Sequence, residues 1–231
     1  MYCALSGGRA GSEAMTKKYP STPYWPYSPT RDEGSPSVET SRFVDREVVI
    51  TEKLDGGNTL LHCGHVYSRS VSEPSNEKWM AMVKKHHAWK VQESGVFLYG
   101  EDIYAVHSIE YAPVAEDMTF YAFALRNEED DFVSFADLER YAQKRAIPVV
   151  PVLFRGSFPS VDAVMRFVVA AHSEPSALGG EREGVVLRVA EGFPASDFVK
   201  NVCKSVRCGH VQTTKHWRRR WRPCRTFPAV V

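Results

Sequence analysis

One junction constrains the chain more than any other stretch. The β-rich run Arg46-Glu47-Val48-Val49-Ile50-Thr51 leads directly into Glu52-Lys53-Leu54-Asp55-Gly56-Gly57-Asn58, and a second strand pattern begins at Asn58. β-branched and apolar residues at this density read as a strand, and the glycine pair forces a turn at its end. The lysine therefore stands at a strand end, facing a turn whose backbone can come close to a ligand. A lysine in that setting is a candidate covalent nucleophile.

The remaining punctuation of the chain favours antiparallel strands with a few intervening helices. Strand patterns occur at 47–53, 58–62 and 65–69, with Cys63-Gly64 as a short hairpin turn, and again at 95–101, 119–125, 149–154, 183–189 and 198–207. Residues 75–92 have a helical period that places Trp79, Met82, Val83, His86 and Trp89 near one face. Ser134 and Ser160 are positioned as N-caps of two further helices. The first runs to about Arg145; the second, to His172, buries Val161, Val164, Phe167, Val168 and Ala171. Residues 19–40 hold too many prolines for a helix and too many aromatics for a free coil, which predicts an extended segment packed over a surface. The fold class is α+β.

Composition narrows the function classes. A chain of 231 residues is long enough for one sizeable core. No stretch approaches the roughly 18 apolar residues of a membrane span, and residues 1–14 lack the pattern of a secretory signal. They are small and polar and are expected to be disordered, with Met15 as an alternative start. Five irregularly spaced cysteines argue against a disulfide framework and for a reducing, cytoplasmic setting. Cys203, Cys208 and His210 lack the spacing of a zinc knuckle. Charge is unevenly distributed. After Asp197 there are nine cations and no carboxylate, whereas the preceding part carries 20 cations against 28 carboxylates. A basic end on an acidic body suits a polyanionic partner, although a solvated tail accounts equally well for Arg218 to Arg225.

Read in order, the strand ends present Lys53, Arg69, Glu101, Phe123, Glu183, and then Lys200 and Lys204. Each has a bland reading by itself: a surface lysine, a solvated acid, a core phenylalanine. Together they describe one reaction. An amine attacks the α-phosphorus of a nucleoside triphosphate, for which it must be neutral, and nearby cations, including a metal ion and Lys200 or Lys204, are expected to lower its pKa. Cations and a divalent metal offset the phosphate charge. Glu101 and Glu183 can hold that metal, directly or through water, or grip the ribose hydroxyls, and Phe123 can stack on the purine.

These residues and their local sequences resemble the ATP-dependent RNA ligases, more closely the T4-type RNA ligase 2-like group, over about Lys18 to Trp217. Lys53-Leu54-Asp55-Gly56 matches the nucleophile motif, and Ser68-Arg69-Ser70 resembles the second motif. Tyr99-Gly100-Glu101, continued by His107-Ser108-Ile109-Glu110-Tyr111, is the most specific match. Phe120 to Leu125 resembles the strand with the base-stacking aromatic, and Glu183-Gly184-Val185-Val186 the E-G-x-V motif. His210 to Trp217 resembles the stretch that follows in close relatives. Two departures stand out: Ala124 where many ligases have Asp, and Gly57 where close relatives carry a larger residue.

The resemblance implies a nucleotidyltransferase (ATP-grasp-like adenylation) domain at 18–217, between a disordered extension (1–17) and a basic tail (218–231). It implies ATP and Mg²⁺ or Mn²⁺ as cofactors, and RNA with 5′-phosphate and 3′-OH ends as substrate. Glu52, Lys53, Asn58, Arg69, Glu101, Phe123, Glu183, Lys200 and Lys204 would bind nucleotide, Glu101 and Glu183 the metal, and Asn58, Arg69 and Arg207 RNA. For the final lysine motif Lys204 is the first choice and Lys200 the second, with Arg207 as a further candidate. Only about 25 residues follow the last motif, fewer than an OB-fold domain needs, so an accessory protein is expected to supply RNA specificity. The alternatives are a GTP-dependent mRNA capping guanylyltransferase and a non-catalytic RNA-binding relative.

Overall fold

The computed structural model describes residues 17–31, 34, 36–69, 73–209 and 221–229. Within them the strands are β1 (Val48–Lys53), β2 (Gly57–His62), β3 (His65–Ser68), β4 (Phe97–Asp102), β5 (Val114–Ala115), β6 (Phe120–Arg126), β7 (Asp131–Phe132), β8 (Val152–Gly156), β9 (Gly184–Val189), β10 (Phe193–Pro194), β11 (Val202–Val206) and β12 (Thr226–Phe227). The α-helices are α1 (Ala81–His86), α2 (Phe135–Gln143), α3 (Val161–Ser173) and α4 (Phe198–Asn201).

Two antiparallel sheets carry the fold. One has the order β11-β9-β1-β8 and the other β10-β7-β6-β4-β2-β3; β12 and β5 form a small parallel pair. The α+β reading therefore holds. Alternation along β1 explains how the layers stack. Val48 and Ile50 pack with Val164, Val168 and Ala171 of α3. Val49, on the opposite face, packs with Leu61, Leu98 and Phe120 of the larger sheet. A third cluster, including Tyr67, Tyr99 and Phe132 from the larger sheet and Val189 and Val202 from the smaller, ties the two sheets together. The chain leaves β1 through residues 54–56 and enters β2, crossing from one sheet to the other at the lysine.

Local chemistry accounts for the element ends. Cys63 and Gly64 both have positive φ, 49° and 76°, the conformation of the tight turn that matches hairpin twist. The Ser134 hydroxyl accepts from Asp137 N–H at 3.1 Å and that of Ser160 from Ala163 N–H at 3.2 Å, so both expected caps are present. Of the expected α3 face, Val164, Val168 and Ala171 are buried, while Val161 and Phe167 are half-buried against the same cluster.

Four expectations are corrected. The helix at 75–92 shrinks to α1, flanked by 3₁₀ turns at Lys78–Met80 and Ala88–Lys90. The tighter turns shift the phase, so Met80, Val83, His87 and Ala88 are buried while Trp89 is exposed. The strand at 149–154 starts later, at Val152, because Pro151 has no N–H for the ladder. The strand at 198–207 begins as the helical turn α4 and becomes β11 only at Val202. Residues 19–40 do not merely cover a surface: Tyr19, Trp25 and Val38 are core residues. No helix among the described residues is long and apolar enough to cross a membrane.

Candidate active site

The lysine at the end of β1 opens into a cavity of about 630 Å³ between the two sheets, within the usual range of small-molecule sites. The loop that follows is held by its aspartate. Asp55 Oδ2 accepts from Ser108 N–H at 2.8 Å, Ser108 Oγ at 2.7 Å and Ile109 N–H at 2.7 Å, while Asp55 N–H donates to the Tyr111 hydroxyl at 2.7 Å. The run His107 to Tyr111 is thus the clamp on the turn beside Lys53. Gly56 follows because a Cβ there would stand 2.4 Å from the Asp102 carbonyl oxygen. Gly57 is different: its Cβ would meet nothing closer than 3.8 Å.

Register brings the acids to the lysine. Lys53 pairs across the ladder with Gly184, so Glu183 arrives at its side. Lys53 Nζ donates to both Glu183 oxygens at 2.6 Å. Gly184 is required by close approach, since a Cβ would lie 2.1 Å from the Ser205 carbonyl oxygen. Glu101 pairs across β4 and β2 with Asn58, and both line the cavity. Burial works against the Lys53 charge, but Glu183, Glu101 and Asp55 together hold its pKa above the ordinary value. In the chain alone these carboxylates outweigh burial, and of the two lysines expected to lower it Lys204 lines the same cavity. Burial pushes Glu101 up to about 8, eased by Lys53 and reinforced by Glu183 and Asp55.

The far wall carries an aromatic platform and two cations. Phe123 of β6 meets Tyr19 edge-on at 5.0 Å, and both rings line the cavity. Arg69, just past β3, donates to Ser21 Oγ at 3.0 Å. Lys204 of β11 sits over the Tyr24 ring at 4.3 Å. Burial lowers the Lys204 pKa, and the charges of Lys53 and Arg69 add to that, against Glu183.

Lys53, Asn58, Arg69, Glu101, Phe123 and Lys204 therefore line one cavity, and Glu183 meets it through its contact with Lys53. Three expected residues do not join them. Lys200 lies on the α4 turn, exposed, with Nζ 2.7 Å from Asp197. Arg207 is held by the Arg182 carbonyl at 2.7 Å and by the Glu181 carboxylate. Glu52 borders the cavity, but strand alternation turns its side chain to the α3 face, where its carboxylate accepts from Ala177 N–H at 2.9 Å and lies 3.6 Å from Arg182 Nε. Conversely, Tyr19 and Ser21 stand in the wall, with Tyr24 behind it against Lys204. The signal for them was the aromatic, proline-rich run itself, which is too apolar to remain outside a core.

Two carboxylates beside a lysine suit a hard divalent cation that takes its remaining ligands from water and phosphate. They do not form an all-protein cage: among the described residues no group of three His, Cys, Asp or Glu side chains converges for a metal. Cys203 is buried and Cys208 exposed. His210, the stretch to Trp217 and Arg218–Arg220 fall outside the described residues. The C-terminal part that is described packs against residues 104–115, and Arg222 pairs with Glu110 at 2.7 Å.

A family model described as RNA ligase matches residues 46–206. No curated protein matches the chain. Among solved structures, a variant of Naegleria gruberi RNA ligase with ATP and Mn aligns at a TM-score of 0.52 and 15% identity, over 76% of this chain and 54% of that one. An apo variant aligns at 0.51 and 14%, over 72% and 51%. An archaeal ATP-dependent RNA ligase aligns at 0.49 and 14%, over 82% and 48%. The chain spans about half the length of these proteins, and at such identities the Naegleria likeness establishes the fold.

Proposed function

The chain belongs to the RNA ligase family, and from that premise we propose that it is an ATP-dependent RNA ligase that works through a lysyl-AMP on Lys53. The observation that carries this reading is the placement of Lys53 Nζ, 2.6 Å from Glu183 and inside a cavity that also holds Glu101, Phe123, Arg69 and Lys204. In the first step Lys53 Nζ forms a bond to the α-phosphorus of ATP. The bond from that phosphorus to the bridging oxygen breaks, and pyrophosphate leaves. The amine must first lose a proton, and Glu183 is in position to receive it. Phe123 offers a face to the adenine, while Arg69 and Lys204 meet phosphate oxygens whose charge grows during the transfer.

Glu101 and Glu183 would hold Mg²⁺ or Mn²⁺, which neutralises phosphate charge and weakens the carboxylates' grip on the ammonium. The protein then passes AMP to an RNA 5′-phosphate, freeing Lys53, and an RNA 3′-hydroxyl displaces AMP to form the phosphodiester. Asn58 and Arg69 border the same cavity and would contact the RNA end. Lys204 takes the final-motif role, because Lys200 and Arg207 are engaged elsewhere.

Incubation with ATP labelled at the α-phosphate, and separately with labelled GTP, tests the reading. Alkali-stable label from ATP that is released by acidic hydroxylamine and absent in Lys53→Ala is the expected result. Label from GTP alone would make the protein a guanylyltransferase. No label, or equal labelling of Lys53→Ala, would overturn covalent nucleotidyl transfer at this site.

A further inference from the structure

The cations of the far wall are held by neutral groups. Lys53 faces a carboxylate, as do Lys85, Lys200, Arg145 and Arg222. Arg69 and Lys204 have no carboxylate within ion-pair distance among the described residues. Each instead has a neutral partner from one short stretch: Arg69 has the Ser21 hydroxyl at 3.0 Å, and Lys204 has the Tyr24 ring at 4.3 Å. The stretch is itself fixed to β11 at Lys204. Trp25 N–H donates to the Lys204 carbonyl at 2.7 Å, and Lys204 N–H donates to the Pro23 carbonyl at 2.9 Å. Trp25, next to Tyr24, is anchored in the core with Phe43 and Val48.

A carboxylate holder would fix a cation and cancel its field at the same time. A hydroxyl or an aromatic face fixes it and leaves the charge free to act on a third group. We propose that Ser21 and Tyr24 are positioning residues that hold Arg69 and Lys204 un-neutralised at the cavity wall, poised for the phosphate oxygens of an incoming nucleoside triphosphate. This rests on the proposed nucleotidyl transfer at Lys53, but the holding itself can be measured without it. Serine and tyrosine act here through other side chains and take no part in bond making.

The ring's attraction favours the charged lysine. Replacing it with an aliphatic side chain of similar bulk should therefore lower the Lys204 pKa and loosen its position, whereas phenylalanine keeps the π face. Reductive ¹³C-methylation followed by NMR titration reads the Lys204 midpoint directly, and labelled ATP reads lysyl-AMP formation. Tyr24→Leu should shift the midpoint down and slow adenylation about 5-fold to 10-fold, a size set by cation–π energies. Tyr24→Phe should restore both. Ser21→Ala should raise the ATP concentration needed for half-maximal labelling several-fold with little change in the saturated rate. An unchanged Lys204 midpoint in Tyr24→Leu would overturn the proposal for Tyr24, even with lysyl-AMP intact, and an unchanged ATP requirement in Ser21→Ala would overturn it for Ser21. A shifted midpoint in a protein that ATP never labels would keep the holding role of Tyr24 and remove the nucleotidyl-transfer reading.

Discussion

At Lys53 the same carboxylate holds the amine and is placed to take its proton. Glu183→Gln retains the shape but removes both the charge that keeps Lys53 protonated and the proton acceptor, so the lysine pKa should fall while lysyl-AMP formation drops by about 100-fold or more. The pH profile of labelling checks the first and its maximal rate the second; a rate within a few-fold of wild type would remove Glu183 from proton transfer. The adjacent glycines separate just as clearly. Gly56→Ala must push a methyl into the Asp102 carbonyl, whereas Gly57→Ala enters open space. Thermal melting should show a marked loss for the first and near-wild-type behaviour for the second. Residue identities at strand ends were readable from sequence because each such position combined a functional group with a chain reversal. Glu52 misled for a geometric reason: it neighbours Lys53 along the chain, but a strand sends consecutive side chains to opposite faces.

Between elements, the site depends on a contact that no strand or helix pattern displays. The run after β4 reaches back across the sheet boundary to clamp Asp55, and the clamp consists of hydrogen bonds to one carboxylate oxygen and one backbone N–H. Removing the acceptor on the backbone side, in Tyr111→Phe, leaves the Asp55 N–H without its partner, at a cost of about 1–3 kcal/mol. In a domain of this size that corresponds to roughly 2–4 °C per kcal/mol. The melting temperature and the adenylation rate should fall together; a fall in neither would mean that the run does not position the loop. Sequence reading located these strands because alternation and turn residues are local signals. It failed where two local signals compete. The 75–92 pattern spans two 3₁₀ turns with a different period, and the strand before Arg207 starts with a helical turn that carries Lys200 away from the cavity. The aromatic stretch at Tyr19 to Trp25 had no period, so its composition signalled packing against a core but not that Tyr19 to Thr22 would line the cavity.

The whole molecule holds buried acids against their preference, and its stability should report them. Glu101 is pushed up to about 8 and Asp102 to about 7, each chiefly by burial. The folded protein keeps these protons at pH values where the unfolded chain has already lost them. Stability must then decline as pH rises from the ordinary carboxylate range through each folded value. Below about pH 7.5 the comparison is confounded, because burial lowers the pKa values of His62, His87 and His172 while the unfolded chain's histidines still titrate, so their neutral forms favour folding as pH rises. Between about pH 7.5 and 8 those histidines are neutral in both states. Lys53, raised above its ordinary value, stays charged in both, so it adds no slope. In that window the melting temperature of the ligand-free protein should fall by about 1–2 °C, and Glu101→Gln should flatten most of the decline, since Asp102 releases its proton mainly below it. A melting temperature that is level from about pH 7.5 to 8, or one that declines equally in Glu101→Gln, would mean that Glu101 is ionised beside Lys53 throughout. The pair would then have to be treated as a carboxylate already poised for a cation, not one that must first release a proton to accept it.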